Sequence, residues 1–207
     1  MTILRLALAI ALVALPAGAE QVTAVTPVYS RIVAFPLPDG FVAAFEQVNG
    51  RSYVQEFVPQ GETVAAWSQM ITLLGAQGLA AQAAGQETPA TAFAHYILAG
   101  YRQACPDHVS AIELKAPDIP GAAEVFAGQV GCSTVAGTDH GEAMVFLVAV
   151  SGADVFSLQW ARRGPAGQKT PGYNAGTWDP ALAFLTAGLR FCVPVAGEQP
   201  PYPTCTE

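Results

Sequence analysis

Apolar and polar positions along the chain change period several times, and each change marks an element. Residues 28–36, Val-Tyr-Ser-Arg-Ile-Val-Ala-Phe-Pro, read as a first strand ending at a turn over 36–40, and 41–47 extends it or starts another. From 51 to 58, polar Gln55 and Glu56 alternate with Tyr53, Phe57 and Val58, a half-buried strand that Pro59 stops. Gln60-Gly61 is then a turn. Thr63 is placed to cap a helix whose apolar residues Val64, Trp67, Met70 and Ile71 recur at helical spacing, until Gly75 and Gly78 break it. A second helix starts with Thr88 as N-cap and Pro89 at its first position. Phe93, Tyr96, Ile97 and Tyr101 share a face, and the helix runs to about Cys105.

The period turns strand-like again over 109–114, 124–135, 142–150 and 154–162, and the last two are expected to form a hairpin across Ser151-Gly152-Ala153. Asp179-Pro180 repeats the cap-plus-proline start and predicts a third helix carrying Leu182, Phe184, Leu185 and Leu189, ended by Cys192. The tail from 193 to 207 has four prolines and no period, so an extended C-terminal strap is expected there. Strands interrupted by helices, with no internal repeat, predict an α+β fold: an antiparallel sheet with helices packed on it, one domain over 20–192. The stretch from 63 to 101 holds a single formal charge, Glu87, among many alanines and glutamines, as for two helices pressed on a sheet.

The N-terminus adds a destination. Arg5, an apolar run over 6–15 and Pro16-Ala17-Gly18-Ala19 before Glu20 read as a signal peptide spanning 1–19, the run being too short to cross a bilayer. No cysteine follows the cleavage position to carry a lipid anchor, and no later stretch has the apolar length of a membrane helix, so a periplasmic or secreted protein without a membrane anchor is expected. The whole chain has 9 Lys+Arg against 16 Asp+Glu, and loss of Arg5 makes it one charge more acidic. Such a charge repels phosphate backbones and argues against nucleic acid or an anionic membrane surface as partner. At 52% hydrophobic and 12% charged, the 207-residue chain has the means to build a core.

Four cysteines, Cys105, Cys132, Cys192 and Cys205, form an even set in a chain addressed to an oxidising compartment. Three pairings exist. Cys105 with Cys132 and Cys192 with Cys205 are favoured as sequence neighbours, each contributing roughly 3 kcal/mol in the chain-entropy model. A zinc site lacks Cys-x-x-Cys or clustered Cys/His spacing, and a thiol nucleophile would leave an odd cysteine over.

The string Tyr53-Val54-Gln55-Glu56-Phe57-Val58-Pro59-Gln60-Gly61-Glu62-Thr63, followed by Trp67-Ser68-Gln69-Met70-Ile71-Thr72, resembles a pattern of small exported bacterial proteins related to the PsbP/Mog1-like fold: a strand, a Gly-Glu-Thr turn and a Trp-bearing helix. The resemblance implies an antiparallel sheet between helices and an accessory or adaptor role that binds a protein partner. It brings no catalytic residue.

Candidate chemistry is sparse. Asp139-His140-Gly141-Glu142 places two carboxylates and an imidazole together, but beside Gly137 it reads as a solvated turn; His95 and His108 read as structural. No Gly-x-Ser-x-Gly elbow or triad context is present, and the glycine-rich 164–176 stretch lacks the Gly-Lys-Ser/Thr end of a phosphate loop. Trp160, Arg162 and Arg163 are the candidate binding residues, because arginines beside an aromatic ring hold carboxylates or stack on planar groups; the competing reading is a strand end with Arg162 exposed, balancing acids such as Asp154. Glu62 suits a helix start, and Trp67 reads as core. No cofactor and no metal are implied. The reading is a non-catalytic exported adaptor; the alternatives are a cell-envelope hydrolase using Asp139, His140 and Glu142, and a carrier of small apolar ligands.

Overall fold

The structure, a computed structural model, describes residues 22–82, 87–105, 108–167 and 174–206. The expected export segment and part of the 164–176 stretch lie outside the described residues. In chain order the elements are β1 (Thr23–Val28), β2 (Arg31–Pro36), β3 (Phe41–Asn49), β4 (Ser52–Pro59), β5 (Gln69–Ala76), α1 (Pro89–Ala104), β6 (Val109–Leu114), β7 (Glu124–Cys132), β8 (His140–Ser151), β9 (Asp154–Pro165), α2 (Ala175–Gly188), β10 (Arg190–Cys192) and α3 (Pro203–Thr206). A seven-stranded antiparallel sheet runs β3-β4-β5-β9-β8-β7-β6, and a smaller one runs β1-β2-β10. This is the expected α+β architecture.

The large sheet is apolar on both faces. One face, with Phe57, Ile71, Leu73, Val145, Leu147, Phe156 and Leu158, packs against Val33 and Phe35 of β2, Phe191 of β10 and the Trp178, Ala181 and Leu185 stripe of α2. The other carries Val130, Met144, Phe146 and Val148 and receives Ala90, Ala94 and Leu98 of α1. Small residues on α1 let the helix sit close to the strands. Asp154, 3% exposed, joins the layers by accepting hydrogen bonds from the Ser30 hydroxyl at 2.8 Å and the Gly78 N–H at 2.7 Å. The disulfides are Cys105–Cys132, between the end of α1 and the end of β7, and Cys192–Cys205, between β10 and α3.

Four local expectations are corrected. The helix after Thr63 does not form. Thr63 and Ala66 exchange backbone hydrogen bonds at 3.1 and 3.0 Å in a tight turn, and 69–76 is strand β5. This strand lies between β4 and β9 and buries side chains on both faces, so its run Met70-Ile71-Thr72-Leu73-Leu74 shows no alternation, and a short buried run cannot be told from a helix by period. The single strand over 28–36 is a hairpin that turns at Tyr29-Ser30, with Tyr29 at φ 54°. No glycine or proline announces that turn.

The third helix begins at Ala175 rather than Asp179. Asn174 caps it by accepting from the Gly176 N–H at 3.0 Å, and Pro180 sits inside, where its ring removes one bond to the carbonyl of Gly176. The helix stops at Gly188, and the residues up to Cys192 become β10, whose Phe191 packs on Phe156 at 5.0 Å. Finally, the tail is not wholly extended: Glu198 accepts from the N–H and hydroxyl of Thr204 at 2.8 and 2.6 Å, starting α3, and buried Cys205 packs on Ile32 and Ala34.

Candidate functional site: an arginine between two indoles

Successive residues of a strand point to opposite faces, and this separates the two arginines of β9. Arg162 lies on the α2 face with Trp160; Arg163 lies on the α1 face. Trp160 is held by its indole N–H, which donates to Gln69 Oε1 at 3.1 Å, and by edge contacts with Phe41 and Phe184. The Arg162 guanidinium then stacks at 5.1 Å from the Trp160 ring centre and 5.4 Å from that of Trp178, a buried residue of α2 that the sequence reading did not single out. Arg162 is therefore not the exposed strand end, and Asp154 is committed at the far end of β9. Its Nε is buried without a hydrogen-bond partner, and among the described residues no carboxylate forms an ion pair with it. Burial lowers the guanidinium pKa from its ordinary value, while an arginine keeps its charge at any physiological pH.

A cavity of about 320 Å³ opens beside it, lined by Ser133, Glu142, Arg162, Arg163, Asn174 and Trp178 among others. The start of α2 adds the positive end of a 14-residue helix at this rim. A half-buried cation without a counter-ion, carrying a fixed fork of donors, is suited to a carboxylate, which it can bind through two parallel hydrogen bonds.

Arg163 has different work. Its Nε donates to Glu142 Oε1 at 2.9 Å, its guanidinium stands 3.9 Å from the Trp67 ring centre, and its backbone N–H donates to the Ser68 carbonyl at 3.0 Å. Glu62 ties the same turn: the Ser68 hydroxyl and N–H donate to it at 2.7 and 2.6 Å and hold its carboxyl below the usual carboxylate range. Trp67 is thus half-buried under an arginine rather than a core anchor beneath a helix.

His140 and Glu142 are also corrected from the solvated-turn reading. Both lie on β8, on the α1 face, with side chains 22% and 18% exposed and 3.2 Å between His140 Nε2 and Glu142 Oε1. Asp139 alone is solvated. Glu142 and, more strongly, burial raise the pKa of the Tyr101 phenol, so this tyrosine stays protonated. Among the described residues the polar partners of the His140 ring are Asp139 and Glu142, and no set of three ligating side chains is placed to hold a metal ion. His95 pairs with Glu87 on the exposed side of α1, and His108 stands at the start of β6.

No family model matches the chain. No curated protein matches it. Among solved structures it is similar to the Ran-binding protein Mog1p of Saccharomyces cerevisiae, at 11% identity over 69% of this chain and 78% of that one, with a TM-score of 0.43. It is also similar to cyanobacterial PsbP from Synechocystis sp. PCC 6803, at 10% identity over 88% of this chain and 99% of that one, again with a TM-score of 0.43. These are the two proteins whose names the fold resembled by residues 53–72 carries.

Proposed function

We propose that this chain is an exported, non-catalytic accessory or adaptor protein that binds a protein partner, and that Arg162, braced by Trp160 and Trp178 with Arg163 on the cavity rim, takes a carboxylate of that partner. The observation that carries this reading is the unpaired Arg162 guanidinium beside an open cavity. Holding a partly desolvated cation without a counter-ion costs stability, and an anion arriving from outside recovers part of that cost. The hydrolase reading through Asp139, His140 and Glu142 is weaker, because Glu142 Oε1 already accepts from Arg163. Both disulfides fit an oxidising destination.

Phenylacetate, a carboxylate on an aromatic group, is the probe. Titration should change tryptophan fluorescence saturably, and Arg162→Met should weaken binding at least ~10-fold while melting at or above the parent temperature, since an apolar isostere relieves a buried charge. An unchanged titration in Arg162→Met removes the arginine from the site. Export is checked separately. The intact mass of protein recovered from the periplasm should correspond to a chain beginning at Glu20, and retention of Arg5 would refute the export reading.

A further inference from the structure

The α1 face of the large sheet is wider than the helix that covers it. An α-helix with side chains is about 10 Å across and strands lie about 4.8 Å apart, so one helix covers some two strands. Helix α1 packs chiefly on β7 and β8. Beyond it the same face continues across β9, β5, β4 and β3, where register aligns Gln159, Thr72, Glu56 and Phe45 in one row and Ser157, Leu74, Val54 and Gln47 in the next. Phe45 and Val42, on the outermost strand, are 39% and 42% exposed. Trp67, Leu79 and Ala80 pack on part of this face and Ser157 is buried, while Leu74 and Gln159 stay half-buried beside α1.

The flank of α1 has the matching form. Two cavities open along it, one of about 450 Å³ lined by Ser52, Leu79, Phe93 and Tyr96, the other of about 520 Å³ lined by Leu74, Tyr96, Gly100, Tyr101 and Gln159. They share Tyr96 and so form one groove following the helix. Sixteen residues make α1 about 24 Å long, the length of a partner helix of four turns. At one-turn intervals after Tyr96 stand Gly100 and Ala104, both exposed, and small residues on one ridge let a second helix approach closely. The floor is mixed, with Leu74, Val54 and Phe45 among Gln159, Thr72, Ser157 and Gln47; of its carboxylates Glu142 is paired with Arg163, whereas Glu56 makes no ion pair among the described residues. Burial raises its carboxyl pKa, a cost that a cation placed opposite would offset.

We propose that this groove docks an amphipathic helix of a protein partner, its apolar face against Leu74, Phe45 and the Gly100 wall and a lysine or arginine opposite Glu56. A cationic helix also suits the acidic chain as a whole. Glu142 borders both this groove and the cavity beside Arg162, whereas Gly100 borders only the groove and Arg162 only the other cavity, so changes at those two residues separate the sites.

The probe is a fluorescein-labelled 18-residue peptide of leucine and lysine, the leucines spaced to form one helical stripe, compared with a scrambled peptide of the same composition at physiological ionic strength. A Cβ at Gly100 meets no atom within 4 Å, so Gly100→Phe fills the groove without disturbing the fold, and replacing glycine favours the helix. Fluorescence anisotropy should show the striped peptide binding at least ~10-fold more tightly than the scrambled one, with a loss of ~10-fold in Gly100→Phe and ~3-fold in Glu56→Gln, both variants melting like the parent. Equal binding of the two peptides, or full binding to Gly100→Phe, overturns the proposal. So does a dimer in sedimentation that Gly100→Phe dissolves, which would assign the groove to a second copy, or a small apolar molecule seen by native mass spectrometry in the parent and lost in Gly100→Phe.

Discussion

Phe146→Ala is expected to lower the unfolding free energy by about 3 to 5 kcal/mol. Phe146 is fully buried on β8, near the middle of the large sheet, and its ring stacks 5.9 Å from that of Phe126 in the layer that receives α1. Beneath it lies Gly128 of β7, where a Cβ would come within 2.7 Å of the Phe146 ring. The neighbouring strand has therefore given up its own side chain to seat this one, and on truncation nothing from β7 fills the space. This makes a second, sharper expectation. Gly128→Ala alone should destabilise by overpacking, at about 1 to 3 kcal/mol, yet in the Phe146→Ala background it should cost less or help, because the methyl enters the vacated volume. Urea unfolding of the parent, both single variants and the double variant measures the coupling. Additive effects, or a Phe146→Ala loss under about 1.5 kcal/mol, would mean that the layer under α1 collapses around the hole and is not packed on this pair.

What could be read from the chain follows how local its causes were. The β8–β9 hairpin was legible because Ser151-Gly152-Ala153, with Gly152 at φ +63°, marks a short turn between an apolar run over 143–150 and the alternating Phe156-Ser157-Leu158-Gln159-Trp160. Helix α1 was legible because Thr88-Pro89 marks its start; Thr88 is N-cap by position, although its side chain makes no capping bond. Strand β5 was not, since burial on both faces erases alternation and leaves an apolar run that also fits a helix. The Asp179-Pro180 signal misplaced the start of α2 for a different reason: the capping bond was made by Asn174 upstream, and the helix carries Pro180 in its second turn at the loss of one backbone hydrogen bond. At the candidate site, period two along β9 already assigns Arg162 and Arg163 to opposite faces, a consequence that treating them as adjacent charges concealed. The partners that give each its character, Trp178 for one and Trp67 with Glu142 for the other, arrive from other elements. No spacing rule announces them.

Removing the Cys105–Cys132 bridge by the paired change Cys105→Ala with Cys132→Ala is expected to cost about 3.5 kcal/mol, because the bond closes a loop of 27 residues and so restricts the unfolded chain. Alanine is the appropriate replacement, since both sites are almost wholly buried and a serine hydroxyl would add its own desolvation penalty. The matching removal of Cys192–Cys205, a loop of 13, should cost slightly less, about 3 kcal/mol. Position separates the two further. Cys105 follows the last turn of α1, where Tyr101 and Ala104 wall the groove beside the sheet, so loss of that bridge frees this end of the helix as well as lowering global stability. Amide hydrogen exchange should then quicken at the carbonyl-terminal turn of α1 in the Cys105/Cys132 variant and remain unchanged there in the Cys192/Cys205 variant, whose effect is confined to α3 and its contacts with β2. Unfolding by urea without reductant gives the global term. A loss below about 1 kcal/mol for the first pair would show that the loop is already restricted in the unfolded ensemble, and equal exchange in the two variants would show that packing of Ala90, Ala94 and Leu98, rather than the covalent bond, holds α1 in place.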